Sequence, residues 1–272
     1  MRLVVTHMNL GQWAAEYIQG KINSAAPTQE KPFKMGLPTG GTAVDMYAHL
    51  RRLHQEGTLD FQPVITFNMD EYVGLAKSHP ESYHSFMHQN LFGGINIRPE
   101  NVHILNGEAE DLQAECEAYE QAINQAGGID LFLGGVGQNG HLAFNEPGSS
   151  FESRTRLVDL TENTIQANAR FFQNDTTLVP KQALTVGIAT ITDAKEVLCL
   201  AIGDKKAAAV ARVMQPGTDI NCPITALKLH PSATLLVDED ACSLLDEKSR
   251  ARLQALQTAE PQAKQWCLEI EE

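Results

Sequence analysis

Positive charge is scarce in this chain. Only 21 Lys and Arg stand against 34 Asp and Glu, a net charge of −13 over 272 residues. That balance gives no broad attraction to nucleic acid or to an anionic membrane, so an anionic ligand has to meet locally placed cations. No apolar run approaches the ~18 residues that cross a bilayer. The first residues, MRLVVTHMNLGQW, hold no sustained apolar segment of the kind a signal peptide needs. Cysteine is sparse and unpatterned. Cys116, Cys199, Cys222, Cys242 and Cys267 are odd in number and include no C-x-x-C pair. This argues against a disulfide framework and predicts a reduced, cytoplasmic protein. No repeat, low-complexity tract or linker interrupts the chain, so residues 1–272 are expected to form one domain.

What the chain does have is alternation. Apolar, β-rich runs at 3–5, 33–37, 64–67, 102–105, 129–133, 197–202 and 234–237 are interleaved with helical patterns. The helical patterns fall at 10–23, 43–55, 82–91, 112–125, 204–214 and 240–254. This order predicts an α/β fold with a mostly parallel sheet and helices on both faces. In such sheets ligands bind outside the carboxyl ends of the strands. The segment after Glu260 carries Trp266 and Leu268, which suit packing on the body or on a neighbouring subunit.

Four segments carry chemistry. In IDLFLGGVGQNGHLAFNEPGS, from Ile129 to Ser149, an apolar run ends in glycines and is followed by His141 and Glu146. A His and a carboxylate just past a strand suit acid–base work on a small ligand. The same segment contains G-x-G-x-x-G from Gly135 to Gly140, with Asp159 about 20 residues on. That dinucleotide fingerprint needs a following helix, and Pro147-Gly148 come too early for one. In LPTGGT, from Leu37 to Thr42, Gly40 and Gly41 precede a predicted helix, flanked by Thr39 and Thr42. Glycine amides, a free helix N-terminus and hydroxyls suit a phosphate; the alternative is a threonine-capped structural turn. No lysine follows the glycines, so it is not a Walker loop.

In FNMDEY, Asp70 and Glu71 sit just past a strand. A desolvated carboxylate there would serve as a base, although a solvated loop acid reads equally well. His79, His84 and His88 include an i,i+4 pair but no H-E-x-x-H, so a surface or capping role outweighs metal binding. Arg170, Lys205 and Lys206 are the candidate cations. Lys206 follows Gly203 at the start of a predicted helix, from which it can reach over the sheet edge.

Together these segments resemble the glucosamine-6-phosphate deaminase (glucosamine-6-phosphate isomerase) family. The resemblance rests on LPTGGT (37–42), TFNMDEYVGL (66–75), HPESYHSFM (79–87), GGVGQNGHLAFNEPGSS (134–150), SRTR (153–156), ARFF (169–172) and ALTVGI (183–188), in the family's order. It implies a modified Rossmann-like fold shared with ribose-5-phosphate isomerase and coenzyme A transferases. It also implies conversion of glucosamine 6-phosphate and water to fructose 6-phosphate and ammonia, with no nucleotide, cofactor or metal. By resemblance, Asp70 is the base at C2, and His141 opens the sugar ring with Glu146 and Asn139. Thr39, Gly40, Gly41, Thr42, Arg170 and Lys206 hold the phosphate. The turn at Gly135 and Gly137 is expected to offer backbone N–H donors to the C1 oxygen.

A homo-oligomer is also expected, since many relatives are hexamers, but others are monomers and the sequence does not set the state. The competing readings are a 6-phosphogluconolactonase-like hydrolase, which needs no base at Asp70, and a non-catalytic sugar-phosphate sensor. A sensor of that kind usually carries a basic DNA-binding segment, which this acidic chain lacks.

Two departures from the family pattern matter. Some relatives carry Asp where this chain has Asn139, and an amide can only orient or hydrogen-bond. Allosteric relatives bind N-acetylglucosamine 6-phosphate with basic residues after SRTR. Here Arg156 is kept but Val158 and Asp159 follow. Activation by that effector is therefore expected to be weak or absent. A sigmoidal-to-hyperbolic change in the saturation curve on adding it would show otherwise.

Overall fold

The central strands are five-residue apolar segments buried along their whole length, as strands covered on both faces must be. The fold is that of a computed structural model, which describes residues 1–270. Its elements in chain order are β1 (Arg2–Thr6), α1 (Leu10–Ala25), β2 (Phe33–Leu37), α2 (Gly41–Gln55), β3 (Val64–Asn68), β4 (Asp70–Tyr72), α3 (Tyr83–Asn90), β5 (Val102–His103), α4 (Leu112–Gln125) and β6 (Leu131–Gly135). There follow β7 (Arg156–Asp159), α5 (Glu162–Asn168), β8 (Gln182–Thr185), α6 (Ile188–Thr192), β9 (Val197–Ala201), α7 (Ala207–Met214), β10 (Ala233–Val237), α8 (Glu247–Ala259) and β11 (Gln265–Glu269).

Eight strands form the main sheet in the order β11-β1-β10-β9-β6-β2-β3-β5, parallel throughout except for β11. One face is covered through Ile18 and Ile22 of α1 and Met46, Tyr47 and Leu50 of α2. The other is covered through Tyr119 and Ile123 of α4, Val210 and Val213 of α7, and Leu253 of α8. The expected α/β architecture with helices on both faces is what the chain adopts. From β2 the chain steps outward to β3 and β5, then returns to β6 on the other side of β2 and proceeds to β9 and β10. The direction of strand order therefore reverses between β2 and β6. At such a reversal the connections on either side diverge and leave a crevice at the carboxyl edge.

A second sheet was not anticipated. Strands β4, β8 and β7 pair antiparallel, with Asp70 opposite Thr185 and Arg156 also opposite Thr185 from the other side. Its strands are only three or four residues long, too short for a clear period-2 pattern. It packs through a small aromatic core of Tyr72, Phe144 and Phe172. The bend from β3 into β4 is made at Met69. Its N–H donates to Leu37 O (3.1 Å) and its carbonyl accepts from Val186 N (2.8 Å), so one residue joins the two sheets.

Two helix predictions need correction. The helix expected over 240–254 is a 3-10 turn, Asp240–Cys242, followed by α8. Asp246 accepts from Ser249 N (2.7 Å) and so caps a helix that starts seven residues later than expected, at Glu247. The 204–214 helix opens as a 3-10 turn, Asp204–Lys206, before α7. Trp266 and Leu268 are buried on β11, which closes the β1 edge of the main sheet.

Helix α4 is tied to the strand that feeds the crevice. The buried hydroxyl of Tyr119 donates to Asn68 O (2.6 Å) and also lies 3.1 Å from His103 O. Replacing Tyr119 with Phe leaves the Asn68 carbonyl without that donor. We expect a loss of roughly 1–3 kcal/mol in unfolding free energy, read from urea denaturation; an unchanged midpoint would mean that water takes over the bond.

Candidate active site

At the carboxyl edge of β2 the chain enters α2 through Leu37-Pro38-Thr39-Gly40. Gly40 stands at the helix N-cap with φ +92°, a backbone angle that glycine tolerates and side-chain-bearing residues resist. No side chain caps this helix, whereas Asn9, Ser82, Asp111, Thr161 and Asp246 cap α1, α3, α4, α5 and α8. The first N–H groups of α2 therefore point outward with the positive end of the helix dipole. Tyr47 steadies this loop from inside by donating to Pro38 O (2.5 Å). Thr39 and Thr42 are half-buried beside it and Gly41 is exposed.

Two cations belong to the same edge. Arg170 lies in the 3-10 turn Ala169–Phe171 that ends α5, its guanidinium 4.6 Å from the Phe171 ring centre. Lys206 ends the turn after β9. Burial pushes its ammonium below the ordinary lysine range, and the charges of Arg170 and Lys205 push it further. Like charges gathered this way lower each other's stability until an anion arrives. The expected anion-binding group of Thr39, Gly40, Gly41, Thr42, Arg170 and Lys206 thus draws on the ends of β2, α5 and β9.

Asp70 begins β4, immediately past the Met69 joint. It is 5% exposed, and its Oδ1 meets no hydrogen-bond partner. Burial drives its carboxyl well above the ordinary carboxylate range; the Glu71 charge raises it further and the Thr39 hydroxyl opposes the shift. Four tyrosines surround it: Tyr47 of α2, Tyr72 of β4, Tyr83 of α3 and Tyr119 of α4. Each is raised chiefly by burial, with the Asp70 charge adding to the shift. A carboxylate kept dry and basic, with an oxygen unclaimed, is suited to taking a proton from a bound molecule.

The loop after β6 holds the second titratable group of the site. His141, Asn139 and Glu146 come together there. His141 Nδ1 lies 3.6 Å from Glu146 Oε2, ion-pair range rather than a hydrogen bond. The Asn139 amide donates to Glu146 Oε2 (2.8 Å), and its oxygen accepts from His141 N (3.2 Å). Thr164 of α5, which the sequence did not single out, donates to Glu146 Oε1 (2.5 Å). Burial alone would raise the Glu146 carboxyl, but His141, Thr164 and Asn139 outweigh it and hold it at about 2.

The role expected of Gly137 needs correction. Its N–H already donates to His141 O (2.9 Å), so it has no free donor to give. A Cβ there would meet the imidazole at 2.3 Å; glycine is required because the His141 ring lies against its backbone. Gly135, the last residue of β6, is half-buried at the strand end. No helix follows Gly140, where Val136, Leu142 and Asn145 form isolated bridges, so the dinucleotide fingerprint is a chance match. His84 pairs with Glu71 (2.8 Å) and is taken up in the α3 terminus. Arg156 donates to Asn145 Oδ1 (2.8 Å), and Asp159 accepts from Gln182 Nε2 (2.9 Å).

Comparisons with known proteins place the chain in a family. The family model described as glucosamine-6-phosphate isomerases/6-phosphogluconolactonase matches residues 6–236. A glucosamine-6-phosphate deaminase of Porphyromonas gingivalis is 56% identical over 244 residues, 89% of this chain and 93% of the relative. One from Aeromonas hydrophila is 51% identical over 250 residues, 92% and 94% of the two chains. Among solved structures, a monomeric glucosamine-6-phosphate deaminase aligns with TM-score 0.83 at 43% identity, covering 89% of this chain and 98% of the other. A 6-phosphogluconolactonase from Thermotoga maritima aligns with TM-score 0.69 at 19% identity, covering 87% and 98%, which speaks for the fold alone.

The Glu146 network has a measurable consequence. Its folded value, about 2, lies below the ordinary 4.5, so its ionisation contributes stability that is complete above 4.5 and is lost as pH falls toward 2. A carbon-detected NMR titration should place its midpoint near 2, and Thr164→Val should move that midpoint upward. A wild-type midpoint at 4.5 would mean that these contacts do not hold in solution.

Proposed function

The chain belongs to the glucosamine-6-phosphate isomerase/6-phosphogluconolactonase family, with the glucosamine-6-phosphate deaminases among its relatives, and from that premise we propose how its residues divide the reaction. It is an enzyme that converts glucosamine 6-phosphate and water to fructose 6-phosphate and ammonia. The reading of individual residues rests above all on one observation: a buried, basic carboxylate with an unclaimed oxygen, Asp70, at the edge where strand order reverses.

The phosphate binds first, at the α2 N-terminus, with Arg170 and Lys206 supplying charge and Thr39, Gly40, Gly41 and Thr42 supplying N–H and hydroxyl donors. Charge-assisted bonds at one end of an extended sugar fix its register and bring the far end to the catalytic groups. The substrate enters as a closed ring. His141 takes the proton of the C1 hydroxyl and returns one to the ring oxygen, and the chain opens to an aldehyde. Glu146 stays ionised and stabilises the imidazolium formed in passing, and Asn139 holds both in place. This is why an amide suffices at position 139: its task is hydrogen bonding, and it need not titrate.

Asp70 then removes the proton from C2. The electron pair moves into the C1–C2 bond and the C1 oxygen gains the charge, met by the Gly135 amide. A proton passes from the C2 ammonium to the C1 oxygen, giving the neutral enolamine; Asp70 then returns its proton to C1, leaving an iminium at C2. Water adds to C2 and ammonia leaves, giving the ketose. A raised carboxyl pKa narrows the gap between base and carbon acid, which the ammonium at C2 also narrows. A lactonase has no proton to remove from carbon, so the environment of Asp70 favours deamination over that alternative. A sensor would bind the phosphate without needing the base.

We further propose that residues 1–272 act as one domain, in the cytoplasm, as a homo-oligomer. All five cysteines are free, and among the described residues no helix is long and apolar enough to cross a membrane. The solved relative that is described as monomeric makes mass in solution the deciding measurement for the oligomer; a single-chain mass would overturn it.

The central test is ammonia release from glucosamine 6-phosphate. Asp70→Asn should lower kcat by about 10²–10⁴-fold, the usual contribution of a general base, while binding of the sugar phosphate persists. Lys206→Ala should raise KM by about tenfold or more with a smaller effect on kcat, as loss of a charged contact does. An Asp70→Asn enzyme that keeps most of its rate would end the assignment of the base, and an unchanged KM would remove Lys206 from the phosphate site.

A further inference from the structure

Glu71 is one residue from the proposed base, yet nothing in the reaction above uses it. It is 1% exposed, more deeply buried than Asp70 itself. Both of its oxygens are fully engaged. Oε1 accepts from the N–H groups of Tyr72 (2.8 Å) and Tyr83 (3.0 Å). Oε2 accepts from His84 N (3.1 Å) and lies 2.8 Å from His84 Nδ1. Three backbone donors converge on the carboxylate, the set that an acceptor-only anion takes. Tyr83 and His84 are the first two residues of α3, so the charge also sits at the positive end of that helix, inside the Ser82 cap.

A cap alone does not require this arrangement. Ser82 already caps α3 through Ser85 N (3.1 Å). Placing a second buried carboxylate beside Asp70 costs folding energy through like-charge repulsion, unless that repulsion is useful. Strand β4 is three residues long and pairs along one side with β8; besides that ladder, the Glu71 carboxylate fastens it to α3 and the Tyr72 hydroxyl accepts from Asn168 (2.8 Å). We infer that Glu71 is a positioning residue for Asp70. Its carboxylate pins the short strand that carries the base to the α3 N-terminus, and its negative charge keeps the base strong.

This inference rests on the reading of Asp70 as the proton acceptor. The direction of the effect follows from the surroundings. The titratable groups facing Asp70 are Tyr47 from α2, Tyr72 and Glu71 from β4, Tyr83 from α3 and Tyr119 from α4. All four tyrosines are pushed upward and stay neutral across the acid range. Glu71 is therefore the charged neighbour, and its charge raises Asp70. Facing Glu71 are Asp70 and Tyr72 on its own strand and Tyr83 and His84 on α3.

The test compares pH profiles of kcat and kcat/KM for ammonia release. Glu71→Gln should lower kcat on the order of tenfold, a fraction of what a general base supplies. It should move the acid limb to lower pH while KM stays within about twofold, since the phosphate grip is untouched. Glu71→Asp, which restores the charge with a shorter reach, should return the limb toward its wild-type position. His84→Lys is the variant that does not depend on Glu71→Gln folding. It keeps Glu71 and the backbone bonds but sets a permanent cation against the carboxylate, and it too should move the limb to lower pH.

A limb that stays in place in His84→Lys, or in a folded Glu71→Gln with reduced kcat, would reduce Glu71 to a structural cap and overturn the inference. Failure of the parent reading looks different: Asp70→Asn would then keep its turnover and its acid limb.

Discussion

Asp70 is an ionisable group that the fold withholds from water, and the candidate active site is arranged around the consequences. An isolated carboxylate transferred to an apolar interior would cost far more than any single contact returns, so such a group responds by becoming harder to ionise. Here it has four tyrosines around it, a second carboxylate behind it and a hydroxyl in front. The strain is tolerable because the backbone that carries it is over-determined. Met69 is bonded to both sheets, Asn68 O is held by Tyr119, and Glu71 is fastened to α3. If Asp70 is the base, as proposed, rigidity here has a chemical purpose, since a base that could swing toward solvent would lose the basicity that burial gives it.

The opposite solution appears at Glu146. It too is partly buried, yet it is held at about 2 because His141, Thr164 and Asn139 favour its charged form. Two carboxylates at one edge of a sheet are thus driven in opposite directions, one toward accepting a proton and one toward never holding one. Environments that push pKa values apart are how a single site runs both proton transfer and charge stabilisation at one pH. Neither direction depends on the residue type; that of Asp70 follows from burial, and that of Glu146 from the donors the fold brings within reach.

That dependence explains what was legible in the sequence. Strand β2 and helix α4 fall at the expected residues, because a fully buried strand and a 14-residue amphipathic helix write their periods into the chain. The glycine turns, Asp70 and His141 were legible because turn chemistry and strand ends are local. The second sheet was not. Strand β7 reads Arg-Leu-Val-Asp, exposed in part on every residue, and only its pairing with β8 makes it a strand. Thr164 was invisible as a site residue for the same reason, and Glu71 was legible only as the neighbour of Asp70: a threonine in a short helix and a glutamate beside an aspartate acquire their partners from contacts 18 and 12–13 residues away. Gly137 shows the reverse error. Its position was read correctly and its purpose wrongly, because the ring that requires it returns from four residues on.

The link between the two halves of the site runs through α5. At its start, Thr164 grips Glu146, the carboxylate beside His141, the proposed ring-opening residue. At its end, Asn168 donates to the Tyr72 hydroxyl on the strand of the base (2.8 Å), and two residues later comes Arg170, with its guanidinium over Phe171. One helix of seven residues therefore touches the His141 loop and the Asp70 strand, and the turn that ends it carries Arg170, a proposed phosphate ligand. On the proposed reading, a phosphate bound by Arg170 is linked through α5 to Glu146 and to Tyr72. Occupancy of the proposed phosphate site and alignment of Asp70 and His141 would then be connected. The energy of binding the non-reacting end of the sugar can be spent on ordering the reacting end, which is how remote contacts raise turnover as well as affinity.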